Sequence, residues 1–205
     1  MAKSKRRRKA KPPEMPVAPA KKGITRKQLM MGAVGAVLIV AGVWWWDKNQ
    51  QIEDRFFDYV AQGRGTLDRV ERVPEHGTSG HLAPGERVSY GTNMPTSGRH
   101  DSRWDIPGFY DTPRAPAMLV HSLEHGMVVV YYDRLSAEDM ATLKDWSSIY
   151  GGPFSGIVVT PRAGLGGKIV LTAWNKSLTL ETFDAPAAAV FIDAYRGRGP
   201  ENPVR

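Results

Sequence analysis

An uncharged apolar stretch near the N-terminus is the feature that most constrains this chain. Residues 29–46 contain no charged side chain. As an α-helix, the stretch would be about 27 Å long, close to the roughly 30 Å hydrocarbon core of a bilayer. Three consecutive tryptophans end it, at the position where interfacial aromatic side chains are enriched. The sequence therefore predicts a single transmembrane helix over residues 29–46, in contact with the lipid bilayer.

The distribution of charge predicts how this helix is oriented. Residues 1–28 hold eleven of the 28 Lys and Arg residues but only one of the 21 acids, so the rest of the chain is slightly acidic. Positive charge beside a span stays in the cytoplasm. We expect a basic, disordered cytoplasmic tail over residues 1–28 and an extracytoplasmic C-terminal part, in a single-pass protein of the inner or plasma membrane. Because the cations precede the folded part, no nucleic-acid partner is expected.

A cleaved signal peptide is the alternative explanation of this N-terminus. Such peptides also begin with cations and an apolar run, but they end in small residues at the cleavage site. Three tryptophans at residues 44–46 make a poor cleavage site, which favours an uncleaved anchor. The chain has no cysteine, so disulfides, thiolate metal sites and cysteine nucleophiles are excluded.

The remainder of the chain divides into three predicted segments. Residues 47–86 are expected to form a juxtamembrane helix, ended by Gly63 and Gly65, and a connector. Residues 87–197 are expected to form the extracytoplasmic domain, and residues 198–205 a polar tail. Within the domain, residues 91–117 are predicted to be a long ordered loop, because they combine Pro and Gly with aromatic residues.

The pattern of the domain predicts a small α+β fold with a mostly antiparallel sheet and two or three helices. Ser136 is the expected N-cap of a helix to about residue 150, and Asp184 that of a helix over residues 185–195. Strands are predicted from runs of β-branched and aromatic residues, with an antiparallel hairpin joining the third and fourth of them. These strands are 88–90, 127–132, 156–160, 168–174 and an edge at 177–183.

Histidine motifs carry the strongest chemical signal of the domain. One segment reads Met-Pro-Thr-Ser-Gly-Arg-His over residues 94–100, and another reads His-Ser-Leu-Glu-His-Gly-Met over residues 121–127. Neutral imidazole is the commonest protein ligand of metal ions, and thioether sulfur favours soft ions such as Cu(I). The two segments therefore predict a metal site if the fold brings them together.

The same motifs resemble a known bacterial family. Pro-Thr-Ser-Gly-x-His-Asp at residues 95–101, Gly-Phe-Tyr-Asp at 108–111 and Val-His-x-Leu-Glu-His-Gly at 120–126, behind a single apolar span, are similar to the domain of unknown function 3105. Ser122 departs from the pattern, where Asn is frequent. The resemblance covers roughly residues 50–200 and implies a membrane-anchored extracytoplasmic domain of the cell envelope. It implies no activity.

We expect His100, His121 and His125 to bind one metal ion, with Met94, Met127 or Glu124 as a further ligand. Residues four apart on a helical turn have Cβ atoms about 5–6 Å apart, whereas on a strand the separation is roughly 13 Å. The site therefore requires a helical turn over residues 122–126. Thioether ligation would favour copper, and carboxylate ligation from Glu124 or Asp101 would make zinc equally suitable. His76 and His81 either join this site or belong to the connector.

Three alternatives to this non-enzymatic metal-binding or accessory module stay open. In the first, the histidines are structural and hydrogen-bond backbone and carboxylate groups. In the second, the chain is an interaction module that docks an envelope protein through Trp104, Phe109 and Tyr110, although these rings are more typical of a core. In the third, His121-x-x-Glu124-His125 is the zinc motif of a small hydrolase, which would need a longer helix.

Overall fold

The computed structural model describes residues 25–205, so most of the predicted tail, residues 1–28, lies outside the described residues. Helix α1 spans Arg26–Gln62 and ends directly before Gly63, as predicted. From residue 29 it is long and apolar enough to cross a membrane, a criterion that a signal sequence also meets. The predicted orientation of the chain stays a prediction. By its internal packing the chain divides into two units, residues 1–44 and 45–205.

The second unit contains eight short strands. They are β1 (Glu71–Arg72), β2 (Gly80–His81), β3 (Arg99–His100), β4 (Gly108–Phe109), β5 (Val128–Tyr132), β6 (Ile157–Pro161), β7 (Ile169–Ala173) and β8 (Lys176–Leu180). Six of them form one sheet in the order β1-β8-β7-β5-β6-β4, and β2 pairs with β3 separately. Three of the five pairings in the large sheet are antiparallel. The α+β class with a mostly antiparallel sheet is confirmed.

Two predicted details of the sheet are wrong. The third and fourth predicted strands, β6 and β7, do not form a hairpin, because β5 lies between them, parallel to β6 and antiparallel to β7. All five residues of β5 are buried, and a strand buried on both faces occupies the centre of a sheet, where both of its edges are paired. The hairpin instead joins β7 and β8. Residues 88–90 are not a strand, and the Tyr90 hydroxyl donates a hydrogen bond to the Arg99 carbonyl.

Both faces of the sheet are covered by helices. Besides α1 these are a 3-10 helix (Arg64–Arg69), α2 (Pro116–Glu124), α3 (Ala137–Ile149) and α4 (Ala185–Tyr195). On one face the sheet residues pack with Phe56 of α1, Trp146 of α3 and Phe191 of α4. The other face packs against Leu119 and Leu123 of α2. Alternate residues of β5 therefore enter two different cores, and α2 is fixed to the sheet by its apolar side.

The predicted caps are present on α3 and α4. The Ser136 Oγ accepts a hydrogen bond from the Asp139 backbone N–H, and the Asp184 Oδ1 accepts one from the Ala187 backbone N–H. These side chains satisfy donors that have no partner inside the helix. The predicted segment 47–86 contains the end of α1, the 3-10 helix, β1 and β2. The start of the extracytoplasmic domain at residue 87 stays a prediction.

Candidate metal centre

The end of α2 presents three of the predicted site residues. His121 and Glu124 lie in the last turn of α2, and His125 is its C-cap residue. The required helical turn is present, and the ring centroids of His121 and His125 are 4.6 Å apart. Since the opposite side of α2 is buried against the sheet, these three polar side chains project away from the apolar core.

The small β2–β3 pairing brings two further histidines to the end of α2. His81 of β2 lies directly opposite His100 of β3 in the parallel register. The ring centroids of His81, His100 and His121 are 4.8 to 5.2 Å from one another. The sequence alone did not assign His81 either to the site or to the connector. In the structure its ring lies beside those of His100 and His121.

Two groups of side chains in the described part of the chain bring metal-ligand atoms together. We call His81, His100, His121 and Glu124 the inner cluster, and His121, His125 and Glu201 the outer cluster. Within each cluster one ligand atom from every residue lies within 4.8 Å of the others. The two clusters share His121.

Backbone carbonyls fix the imidazoles of both clusters. The Nδ1 atoms of His100 and His121 lie 2.8 Å from the carbonyl oxygens of Gly98 and Asp101. The Nδ1 of His125 lies 3.3 Å from the Pro153 carbonyl oxygen. Since a carbonyl only accepts hydrogen bonds, each Nδ1 donates, and Nε2 is the ring nitrogen left to face the cluster. Metal-binding histidines in proteins are typically held in this way.

The contact between His100 and Glu124 is the most informative of the inner cluster. The His100 Nε2 lies 3.0 Å from the Glu124 Oε2, and His100 is completely buried. Despite this distance, the Nε2 atom has no hydrogen-bond partner. A lone pair and a carboxylate oxygen repel each other at this distance unless a proton or a metal ion lies between them. Two ligand atoms bound to one tetrahedral ion at about 2.0–2.2 Å lie about 3.3–3.6 Å apart, so a small outward shift of either side chain would admit an ion.

His121 is held in its neutral form. Burial, together with the neighbouring histidines His125, His100 and His81, lowers its pKa from 6.5 to about 4. Near neutral pH its ring therefore has a free nitrogen to offer to an ion, since only the unprotonated nitrogen binds metal.

The outer cluster depends on the C-terminal tail. The His125 Nε2 lies 2.8 Å from the Glu201 Oε2, and the Glu201 backbone N–H donates to the Glu124 carbonyl. The tail comes this close because Gly199 has no side chain: a Cβ there would lie 2.1 Å from the Glu124 carbonyl oxygen. Gly126, with a φ of +95°, makes the other side of this contact.

The loop between β3 and α2 is tied to α2 by polar contacts. The Ser122 Oγ accepts a hydrogen bond from the Asp105 backbone N–H, and the buried Asp105 carboxylate pairs with Arg114. These contacts place Trp104 over the histidines, with its ring centroid 4.6 Å from that of His125 and 5.4 Å from that of His121. Trp104 thus covers the clusters from one side.

The structure places the remaining candidates elsewhere. Met94 packs against the apolar cluster beneath α2, and Met127 is fully buried in that cluster. The Asp101 side chain pairs with Arg103, whose hydrogen bonds lower the Asp101 pKa to about 2. His76 belongs to neither cluster, and its backbone N–H donates to the Ser97 Oγ. Ligation by Met94 therefore stays a prediction, whereas His100, His121 and Glu124 lie together.

The geometry differs from that expected of a zinc hydrolase. In the H-x-x-E-H pattern both histidines bind zinc and the glutamate activates water. Here α2 ends at Glu124, and the Glu124 carboxylate lies beside His100 as one of the candidate ligands. Glu124 is therefore one of the side chains that could bind an ion together with His100.

Comparison with known proteins identifies the family of the chain. No curated protein and no solved structure matches it. A family model described as "Protein of unknown function (DUF3105)" matches residues 81–205, a range that contains every residue of the inner and outer clusters. The chain thus belongs to the DUF3105 family, as its histidine motifs predict.

Proposed function

We propose that this protein is a membrane-anchored metal-binding module of the bacterial cell envelope. The apolar part of α1 supports anchoring, and the eleven cations that precede it support a cytoplasmic N-terminus. In this arrangement the metal site lies on the extracytoplasmic side. A site without cysteine is suited to that compartment, because its ligands are insensitive to thiol oxidation.

The inner cluster is the proposed site, and the His100–Glu124 contact carries the proposal. The buried His100 Nε2 and the Glu124 Oε2 lie 3.0 Å apart without a hydrogen bond, and a metal ion between them would satisfy both atoms. The cluster offers three imidazole nitrogens and one carboxylate oxygen, a set that suits Zn²⁺ or Cu²⁺. Cu(I) is less suited to this cluster, because it contains no sulfur ligand. Because the protein supplies all four ligands of this cluster, we expect the module to handle metal or to assist a partner, and not to be an enzyme.

Metal analysis of the intact chain tests this proposal. The full-length protein, purified in detergent without a polyhistidine tag, is incubated with Zn²⁺, Cu²⁺ and Ni²⁺ together and desalted. Bound metal is then measured by elemental analysis. We expect close to one ion per chain, and the identity of the ion distinguishes zinc from copper.

A matched pair of histidine variants makes this measurement specific. His100→Ala is expected to remove the ion, and His76→Ala to retain it, because His76 lies outside both clusters. Circular dichroism shows whether each variant is folded. A wild-type protein that is folded but free of metal contradicts the proposal, and so does equal loss of metal in both variants.

The surface beside the clusters supports a second candidate function, an interaction module with structural histidines. Ile106 is 71% exposed and Trp104 is 43% exposed, and both lie in the loop that covers α2. Exposed aromatic and aliphatic side chains are frequent anchors in protein interfaces. A folded, metal-free wild-type protein in the measurement above would favour this function over the first.

A further inference from the structure

A small cavity connects the two clusters with solvent. It has a volume of about 280 Å³ and is lined by Gly80, His81, Glu124, Pro200 and Glu201. One carboxylate of each cluster therefore faces the same cavity. An ion that reaches the inner cluster from solvent through this cavity passes both carboxylates.

Each cluster has one exposed ligand, His81 in the inner cluster and Glu201 in the outer one. The Glu201 side chain is 46% exposed, the Glu124 side chain is 17% exposed, and His100 is completely buried. A hydrated cation that enters the cavity therefore meets Glu201, His81 and Glu124 before it reaches His100. Removing the water of a divalent ion is costly, so it is favourable to exchange water for ligands one at a time.

His121 joins the two clusters but can serve only one ion. Its Nδ1 is bound to the Asp101 carbonyl, so a single ring nitrogen is left to bind metal. The inner and outer clusters are therefore alternative positions of one ion and not two sites that fill together. An ion that moves between them can keep its bond to His121 while its other ligands change.

We propose that His121, His125 and Glu201 form an entry site, through which a hydrated divalent ion such as Zn²⁺ or Cu²⁺ reaches the inner cluster. This inference rests on the proposed function of the inner cluster. Glu201 captures the ion at the cavity and, with His125 and His121, replaces its first water molecules. The ion then passes to His100 and Glu124 while His121 remains bound.

The tail holds Glu201 in place for this role. The Gly197 backbone N–H donates to the Gly126 carbonyl at 2.7 Å, and the Glu201 backbone N–H donates to the Glu124 carbonyl at 3.3 Å. Further along, Arg205 pairs with Asp193 of α4 at 2.8 Å. Glu201 is thus attached on both sides of its position, independently of any ion.

The rate of metal uptake distinguishes an entry site from the final site. The full-length metal-free protein in detergent is mixed with Zn²⁺ bound to a chromophoric chelator, and transfer of the ion is followed by stopped-flow absorbance. We expect Glu201→Gln to slow uptake about tenfold, which is similar in size to the effect of losing a group beside a metal site. Its Kd for Zn²⁺ should stay near that of the wild type, because the inner cluster is intact. Release into excess chelator must then slow by the same factor.

Glu181→Gln is the matched control. It makes the same change at another exposed carboxylate, but Glu181 pairs with Lys168 and is not part of either cluster. We expect uptake by this variant at the wild-type rate, and Glu201→Asp to recover part of the rate lost in Glu201→Gln.

Three results would overturn the entry site. They are uptake by Glu201→Gln at the wild-type rate, equal slowing in Glu181→Gln, and a loss of affinity in Glu201→Gln as large as its loss of rate. In each of these the wild-type protein still binds zinc, so the proposed function of the inner cluster survives. A wild-type protein that takes up no ion at all contradicts both proposals.

Discussion

The inner and outer clusters use the same kinds of side chain but differ in how the chain holds them. The inner cluster takes His100 from β3 and Glu124 from α2, and both are positioned by regular structure. The outer cluster takes Glu201 from the tail, whose position depends on contacts between glycines and backbone atoms. Ligands on regular elements are held more precisely than ligands on loops. We therefore expect the inner cluster to determine metal affinity and the outer one to affect access.

The two clusters also differ in what their carboxylates do without an ion. The Glu201 carboxylate is 46% exposed, so water can solvate it without an ion, whereas the completely buried His100 Nε2 has no hydrogen-bond partner. An unsatisfied buried polar atom costs about 1–3 kcal/mol, and binding of an ion there would relieve that cost. The inner cluster therefore has more to gain from metal.

The largest effect should come from the ligand that the clusters share. His121→Ala removes a nitrogen from both, so no complete set of ligands is left at either position. We expect the affinity for Zn²⁺ to fall by more than about 100-fold, beyond the effect of losing an outer-shell group. Competition with a chelator of known affinity measures it. If His121→Ala binds Zn²⁺ as tightly as His76→Ala does, His121 is not a ligand of the ion. The comparison of the two clusters would then be wrong as well.

His100→Ala and His125→Ala separate the two clusters directly. His100→Ala should lower the affinity for Zn²⁺ about 100-fold, whereas His125→Ala should change it less than about tenfold, because only the former belongs to the inner cluster. The same competition assay measures both variants, with thermal unfolding as the control for folding. The reverse order of affinities would make the outer cluster the principal site.

Much of the fold follows from short-range patterns in the sequence. The caps Ser136 and Asp184 mark two helices because their side chains satisfy neighbouring backbone donors. The apolar run of β5 marks a buried strand in the same way. The order of strands was not predictable, since the insertion of β5 between β6 and β7 depends on which edges meet in three dimensions. The hairpin prediction was wrong for that reason.

The site shows the same division between local and distant information. His121 and Glu124 lie one turn apart on α2, which their spacing predicts. His81 and Glu201 carry no such signal, because His81 reaches His100 only through the β2–β3 register and Glu201 lies in a short polar tail. Trp104 was expected in the core, yet it is partly exposed and contacts the histidine rings.

An intermediate effect should follow from disturbing the support of the inner cluster without removing a ligand. Gly98 has a φ of +106°, and a Cβ there would lie 2.5 Å from the His76 carbonyl oxygen. Gly98→Ala must therefore move the carbonyl that holds the His100 Nδ1. We expect the Zn²⁺ affinity to fall about 10–100-fold, as for other outer-shell changes at metal sites. An unchanged affinity would show that His100 does not need this carbonyl.

The smallest effect should appear in a variant that weakens the fold away from both clusters. Ser136→Ala removes the N-cap hydrogen bond to Asp139 and should lower the free energy of unfolding by about 1 kcal/mol. Because Ser136 contacts neither cluster, the affinity for Zn²⁺ and the rate of uptake should equal those of the wild type. Chemical unfolding of the metal-free protein and the chelator assay measure the two quantities. If Ser136→Ala weakened metal binding as much as Gly98→Ala does, general instability and not ligand geometry would explain the histidine variants.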